Sequence, residues 1–280
     1  MVSLKVGGHI SLGSNAPRAL AEARRDGYDC IQIFASSPGQ WRPPVLATAS
    51  TVRDALDEAE VSPLFIHSIY LINLASPDET LTARSVQSLV ATLRVAGAFG
   101  ASGVVTHIGS HMGRGFEAVA EQVAAGIRAV LSDAEGGVQL ILENSAGGGG
   151  LLGSTLEELA ELIDLAGRPE RLRIGLDTAH LLGAGWDLVQ PGVAEDLVDQ
   201  VAELIGLERL ALIHANDSLR PAGSHKDRHA NIGEGYLGLD GFRRVASQPA
   251  LTSVPWILET PNLERRVDDI TTLRAVAAAV

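Results

Sequence analysis

The sequence has few of the features that stabilise secreted proteins or insert proteins into membranes. Its single cysteine, Cys30, excludes an internal disulfide and is typical of a reducing compartment. No run approaches the roughly 18 apolar residues of a membrane-spanning helix. The first ten residues contain Lys5 and His9 and have no apolar stretch typical of a signal peptide. We therefore expect a cytoplasmic protein, associated with the nucleoid only if it binds DNA.

Positive charge is also scarce. The chain has 22 basic and 34 acidic residues, a formal net charge of −12, and only Lys5 and Lys226 are lysines. Taken alone, this balance argues against a nucleic-acid partner, because phosphate contacts need Lys and Arg. Acidic residues that bind cations do not present their charge to a ligand, however, and the local potential matters more than the sum. The charge balance therefore does not exclude a phosphate ligand.

Short apolar runs alternate with longer helical stretches along the chain. The helical stretches carry apolar residues at helical spacing, as at Val86, Leu89 and Leu93, and residues 154–157 (STLE) predict a capping box at one helix start. The eight runs that predict strands are residues 5–10, 30–34, 64–67, 103–107, 138–143, 173–177, 209–214 and 256–259.

Eight strands alternating with helices predict an α/β fold, a single (β/α)8 TIM barrel. No linker or low-complexity segment divides the 280 residues, so residues 1–280 are expected to form one domain. The alternative is an open doubly wound sheet. The glycine fingerprint that such a sheet might carry is missing from the first strand-to-helix turn.

Six of the eight predicted strands end in a residue type that binds metal ions. The six are spaced by 40, 36, 34, 37 and 45 residues, about one βα unit each: His67, His107, Glu143, Asp177, His214 and Glu259. In a barrel all six would meet at the C-terminal mouth, where active sites lie. One such residue alone would suggest only a hydrogen-bonded side chain at the edge of the core. Six in register predict a metal site, because buried charged groups are costly unless they are paired or bound to metal.

Two further clusters bring the candidate ligands to nine. His180 follows Asp177 by three residues, and Asp227 and His229 have the spacing of two that places side chains on the same side of an extended loop. Nine ligands exceed the four or so that one zinc ion binds. Three ions sharing a bridging carboxylate fit this number. Mixed imidazole and carboxylate donors favour Zn²⁺ or Mn²⁺ over Mg²⁺.

Clustered divalent ions are well suited to in-line displacement at phosphorus. The alternative is a metal-dependent sugar isomerase or epimerase of the same barrel type, which would use one or two ions and fewer ligands. A catalytically silent DNA-binding relative is a third hypothesis. It predicts that a ligand is missing, and all nine are present.

From about Gly7 to Glu264 the sequence resembles the endonuclease IV family of apurinic/apyrimidinic (AP) endonucleases. The matching segments are 67–73 (HSIYLIN), 107–111 (HIGSH), 143–147 (ENSAG), 177–180 (DTAH) with 183–187 (GAGWD), 214–217 (HAND), 223–229 (GSHKDRH) with 233–235 (GEG), and 258–260 (LET).

The resemblance implies a DNA repair enzyme that hydrolyses duplex DNA on the 5′ side of an abasic site and leaves 3′-hydroxyl and 5′-deoxyribose phosphate ends. It implies about three zinc ions, with manganese possible at one site, no organic cofactor and a monomer. His67 and His107 would hold the first ion with Glu143, the catalytic residue. Glu143 would also bind a second ion with Asp177, His214 and Glu259. A third ion would be held by His180, Asp227 and His229.

The resemblance also suggests residues that contact DNA. Tyr70 and the loop 37–41, with Gln40 and Trp41, occupy positions where the family opens the duplex at the abasic nucleotide, and Arg228 lies between two ligands, within reach of a phosphate. Members of the family often have Arg where Gly39 stands here. The alternative for this loop is ordinary turn chemistry, since Pro38-Gly39 is a common turn sequence. His9 is expected to support the ligands or simply to pack, and Asn216 and Asp217, which follow His214, are expected to support the ligands.

Overall fold

Eight parallel strands close into a barrel in a computed structural model that describes residues 4–44 and 49–280. The strands are β1 (Val6–His9), β2 (Ile31–Phe34), β3 (Leu64–His67), β4 (Gly103–Thr106), β5 (Gln139–Glu143), β6 (Leu172–Asp177), β7 (Leu210–His214) and β10 (Trp256–Leu258). Their order around the barrel is β1-β10-β7-β6-β5-β4-β3-β2, and β1 also pairs with β2. The predicted TIM barrel is confirmed, and the open sheet is wrong because the described strands leave no free edge.

Helices surround the barrel and connect its strands. They are α1 (Ala16–Arg25), α2 (Ala49–Ala59), α3 (Glu79–Phe99), α4 (Ala120–Asp133), α5 (Leu156–Leu165), α6 (Thr178–Ala184), α7 (Val193–Leu204), α8 (Gly238–Ala246), α9 (Pro249–Thr252) and α10 (Arg266–Ala278). A short antiparallel pair, β8 (Asp217–Ser218) and β9 (His229–Ala230), lies between β7 and α8. In the described parts of the chain, every helix is too short or too polar to cross a membrane.

The helix ends follow from local hydrogen bonding. Asp78 caps α3 by accepting from the backbone N–H groups of the first turn, and Gly100 ends it in the left-handed conformation, φ 76°. The capping box of α5 lies one residue later than predicted. Thr155 is the N-cap and accepts from the N–H of Glu158, whose carboxylate accepts from the N–H of Ser154. The prediction was wrong by one residue because Ser and Thr are both good caps.

Two apolar cores hold the barrel together. The larger core lies between the strands and the surrounding helices, and the smaller one fills the interior of the barrel around Cys30, Phe65 and Ile141. At Gly7, a Cβ would lie 1.6 Å from the carbonyl oxygen of Cys30. β1 and β2 therefore approach so closely that only glycine fits at this position.

Candidate metal centre

Each strand places two side chains inside the barrel, two residues apart, and we group them by their order along the strands into a lower and an upper layer. The lower layer is apolar or glycine: Gly7, Cys30, Phe65, Val105, Ile141, Gly175, Leu212 and Ile257. Because side chains alternate along a strand, the residue two positions later points to the same side. The eight residues at these later positions are all polar: His9, Gln32, His67, His107, Glu143, Asp177, His214 and Glu259. We call them the polar layer.

Six members of the polar layer were predicted from strand ends, and two were not assigned as ligands. Gln32 was missed because the run 30–34 ends in Phe34, so the last residue of the run is not the interior one. The sequence signal that identifies Gln32 is the two-residue alternation of side chains along a strand. Gln32 lies two residues after Cys30, as His67 lies two residues after Phe65. His9 lies in the same register on β1, which pairs His9 with Gln32.

Three groups of donor atoms lie at the mouth of the barrel, and within each group the atoms lie within 4.8 Å of one another. The groups are His67, His107 and Glu143; Glu143, Asp177, His214 and Glu259; and Asp177, His180 and His229. Glu143 belongs to the first two groups and Asp177 to the last two. The three groups therefore form one continuous centre.

The two oxygens of Glu143 face different groups. Oε2 lies 3.3 Å from His67 Nε2 and 3.4 Å from His107 Nδ1. Oε1 lies 2.9 Å from His214 Nδ1, which is also 3.5 Å from Glu259 Oε2. A carboxylate in this position can bind two ions at once, one through each oxygen.

Asp227 extends the third group from a loop. Its oxygens lie 3.3 Å from His180 Nε2 and 3.1 Å from His229 Nε2. Asp177 Oδ2 lies 3.5 Å from the same nitrogen of His229. All nine predicted residues are thus brought together. The membership of Asp177 in the third group as well as the second was not anticipated from the sequence.

Hydrogen bonds fix which imidazole nitrogen points into the centre. Nδ1 of His67 donates to the carbonyl of Ser68 at 2.8 Å, and Nδ1 of His180 donates to the carbonyl of Asn144 at 2.9 Å. In the neutral form of each ring Nε2 then carries the lone pair. Metal-binding histidines commonly use such an acceptor to set their tautomer and ring orientation.

Buried opposite charges shift the pKa values of these groups in opposite directions. Burial alone would raise the pKa of Glu143, but the imidazoles of His107 and His214 hold it well below its usual value. Burial would lower the pKa of His214, whereas Glu259 and Glu143 raise it to about 9. Burial is likewise outweighed by Asp177 and Asp227 at His229, whose pKa is raised to about 9. The carboxylates therefore attract whatever positive charge is at hand, protons or metal ions.

One buried nitrogen tests whether the centre fits metal ions. Nε2 of His229 is buried and makes no hydrogen bond within the described residues, although two carboxylate oxygens lie 3.1 and 3.5 Å away. A buried polar atom in this state needs an explanation, and a role in binding an ion is one of the standard ones. A nitrogen aimed between two carboxylates is the donor set of a transition-metal ion such as zinc. The residues therefore fit a multi-metal centre.

Two asparagines support the candidate ligands, and a neighbouring aspartate orders a loop. Asn216 Nδ2 donates to Asp177 Oδ2 at 2.7 Å, and Asn216 Oδ1 accepts from the N–H of Glu259 at 2.8 Å. Asn144 Oδ1 accepts from the N–H of Asp177 at 2.6 Å. The side chain of Asp217 contacts the segment from residue 233 to 238 instead of the candidate ligands. It accepts five backbone N–H groups and so orders the loop that follows β9.

The centre opens into a cavity of about 540 Å³ whose lining includes Tyr70 and Arg266. Of the residues suggested for DNA contact, Tyr70, Gln40 and Arg228 are exposed at the rim. Trp41 is half-buried, packs against the larger core and lies 4.7 Å from the guanidinium of Arg84. Tyr70 is 61% exposed, and its N–H donates to the carbonyl of Pro38, which ties it to loop 37–41.

Comparisons with known proteins agree with this architecture. A sequence model of the family described as xylose isomerase-like TIM barrel matches residues 20–276. The chain is 39% identical over 261 residues to the probable endonuclease 4 of Natronomonas pharaonis, covering 92% of each protein. It superposes on the crystal structure of endonuclease IV from Thermus thermophilus with a TM-score of 0.87 and 34% identity, covering 99% of this chain and 100% of that one. A D-tagatose 3-epimerase-like protein, 19% identical with a TM-score of 0.71, shares the fold.

The fold and the centre define a class, the TIM barrels that present clustered imidazole and carboxylate donors at the C-terminal mouth. Identity above 30% over more than nine-tenths of the chain narrows this class further. The chain belongs to the endonuclease IV family.

Proposed function

We propose that this protein hydrolyses the phosphodiester bond on the 5′ side of abasic sites in duplex DNA, leaving 3′-hydroxyl and 5′-deoxyribose phosphate ends. As an endonuclease IV-type AP endonuclease it acts in DNA repair. The observation that carries the proposal is the set of three donor groups linked through Glu143 and Asp177, in a chain 39% identical to a probable endonuclease 4.

Nine residues would hold about three ions, with zinc favoured by the mixed donors. In the order along the chain they are His67, His107, Glu143, Asp177, His180, His214, Asp227, His229 and Glu259. When bound, such ions lower the pKa of water and stabilise charge on the attacking and leaving oxygens at phosphorus. Glu143, whose two oxygens face separate groups, would contribute a ligand atom to each group and is the catalytic residue of the proposal.

The charge of the centre suits a phosphodiester better than a neutral sugar. The nine residues include four carboxylates, and about three divalent ions would leave a net charge of roughly +2. An anionic substrate is attracted to such a surplus in a partly buried site, where charges are weakly screened. The net charge of −12 for the whole chain therefore does not argue against DNA.

The rim around the centre presents side chains suited to distorted DNA. Of ten exposed large hydrophobic side chains in the described residues, six lie on segments that follow barrel strands: Tyr70, Met112, Leu151, Leu219, Tyr236 and Leu263. Between residues 219 and 228 the rim also exposes Arg220, Lys226 and Arg228. Apolar side chains can fill the space beside a missing base, and basic side chains can contact phosphates.

Two further properties remain part of the proposal. Because β1 and β10 pair, both ends of the chain contribute to one barrel, which supports a single domain over residues 1–280. The chain would act as a monomer, since one barrel mouth contains a complete set of donors.

The test is incubation with a duplex oligonucleotide that carries one synthetic abasic site, followed by identification of the cut ends. We expect incision at the 5′ side, loss of activity after chelation, and recovery on adding Zn²⁺ or Mn²⁺. Elemental analysis should find about three transition-metal ions per chain. Turnover of a ketose without incision would instead identify a sugar epimerase, and one ion or none after gentle purification would contradict the three-ion centre.

A further inference from the structure

Gln32 is a fully buried amide inside the polar layer, and its three polar contacts all reach other members of that layer. Its Nε2 donates to Glu259 Oε1 at 2.6 Å and lies 3.0 Å from His9 Nδ1. Its Oε1 lies 3.0 Å from His214 Nε2. One amide on β2 thus connects side chains from β1, β7 and the end of β10.

The chemistry of these neighbours fixes the orientation of the amide. An ionised carboxylate only accepts hydrogen bonds, so the NH₂ group of Gln32 must face Glu259. The carbonyl oxygen then faces His214 Nε2, which must carry the proton of the neutral ring. The lone pair of His214 is thereby placed on Nδ1, which points towards Glu143 Oε1 and Glu259 Oε2 in the second donor group.

Other imidazoles of the centre obtain the same support from the backbone. Nδ1 of His67, His180 and His229 each lies within 3.4 Å of a main-chain carbonyl oxygen. His214 relies on the Gln32 side chain in this role. A single replacement at residue 32 can therefore remove the support, which is impossible for a backbone acceptor.

We propose that Gln32 is a positioning residue of the metal centre, which sets the tautomer and ring orientation of His214 and holds the Glu259 carboxylate. The proposal rests on the metal centre proposed above. Loss of a hydrogen-bond partner behind a ligand typically costs about 10–100-fold in metal affinity or activity. The effect should be confined to the second group, because Gln32 contacts only His214 and Glu259 among the nine ligands.

The variant for the test is Gln32→Met, which keeps the length of the side chain and removes its polar atoms. Gln122→Met is the matched control. The Gln122 amide also makes several hydrogen bonds, at 2.9 and 2.8 Å to the carbonyls of Leu74 and Ser76, but it contacts no ligand. Zinc release from the loaded proteins to a colorimetric chelator is followed in time, and the melting temperature of each metal-free protein is measured.

We expect Gln32→Met to release about one of three ions roughly 10–100-fold faster than wild type, with a shifted visible spectrum when Co²⁺ is bound. Gln122→Met should melt at a lower temperature and release zinc at the wild-type rate. Gln32→Ala, which cannot overpack the barrel, repeats the measurement if the Met variant does not fold.

Wild-type release from both Gln32 variants would overturn the positioning role, and so would equal acceleration in Gln122→Met. Failure of the proposed function is a separate result, because wild type itself would then leave the abasic duplex uncut or hold no set of about three ions.

Discussion

Replacing Glu143 by Gln is the sharpest perturbation of the proposed catalytic centre. Glu143 is 1% exposed, and its oxygens lie within 3.4 Å of nitrogen atoms of His67, His107 and His214. Gln has the same shape but no charge, and its NH₂ group would replace one of the two acceptor oxygens. One of the two donor groups that share this residue must therefore lose a ligand atom, while the barrel around it can stay folded.

We expect Glu143→Gln to lower the rate of incision about 10³-fold or more. At about 1.4 kcal/mol for each factor of ten, this is a barrier increase of about 4 kcal/mol, similar to the loss of a group that acts mainly in the transition state. Single-turnover cutting of an abasic duplex measures the rate. Fluorescence anisotropy with the same duplex should show that binding is preserved, and circular dichroism should show that the fold is too.

Glu264→Gln is the matched control, because Glu264 is an exposed carboxylate at the rim whose loss changes the net charge by the same amount. It should cut at nearly the wild-type rate. Incision by Glu143→Gln within tenfold of wild type would refute the reasoning, since a dispensable carboxylate cannot be the one that links two donor groups.

Three further outcomes are expected. Burial raises the pKa of the Cys30 thiol to about 12, so the folded protein should not react with thiol reagents at about pH 8, and rapid labelling would contradict this. Asp217→Asn should lower the melting temperature by about 5 °C or more in a thermal melt, because part of the acceptor for five backbone N–H groups is lost; an unchanged melt would refute that role. Tyr70→Ala should weaken binding to abasic duplex by roughly 10–100-fold with little change in melting temperature. Gly39→Arg should partly restore that binding, since a side chain at Gly39 meets open space; normal binding by Tyr70→Ala, or a melt several degrees lower, would make Tyr70 a packing residue.

Strand ends predict most of this centre because a buried apolar run has few reasons to end in an ionisable residue. At His67 and Glu143 the last residue of the apolar run is also a residue whose side chain points into the barrel. The end of the run and the strand alternation therefore identify the same residue. On β2 the two signals identify different residues, because the apolar run continues to Phe34 while the polar interior residue is Gln32, two residues earlier. A rule based on alternation, counted from the apolar residues of the lower layer, recovers Gln32 from the sequence once the lower layer is known.

Distances between loops and strands could not be predicted in the same way. Asp177 belongs to the third donor group as well as the second because the chain leaves β8, turns back through residues 219–228 and places Asp227 and His229 beside it where β9 pairs with β8. No spacing along the chain encodes that path. The half-buried position of Trp41 is a similar case, since it depends on packing against the core and on Arg84 from a different segment.

The two interior layers divide stability from chemistry. The lower layer is apolar or glycine and stabilises the barrel by packing. The polar layer is costly on its own, because buried carboxylates and imidazoles lose hydration without gaining apolar contacts. Cations bound between the carboxylates would compensate this cost. Because the ions would bind the folded state, their binding free energy would add to the stability of the fold. In this barrel the residues proposed to carry the function therefore lie two positions after the apolar residues of each strand, where packing side chains give way to candidate ligands and the residues that support them.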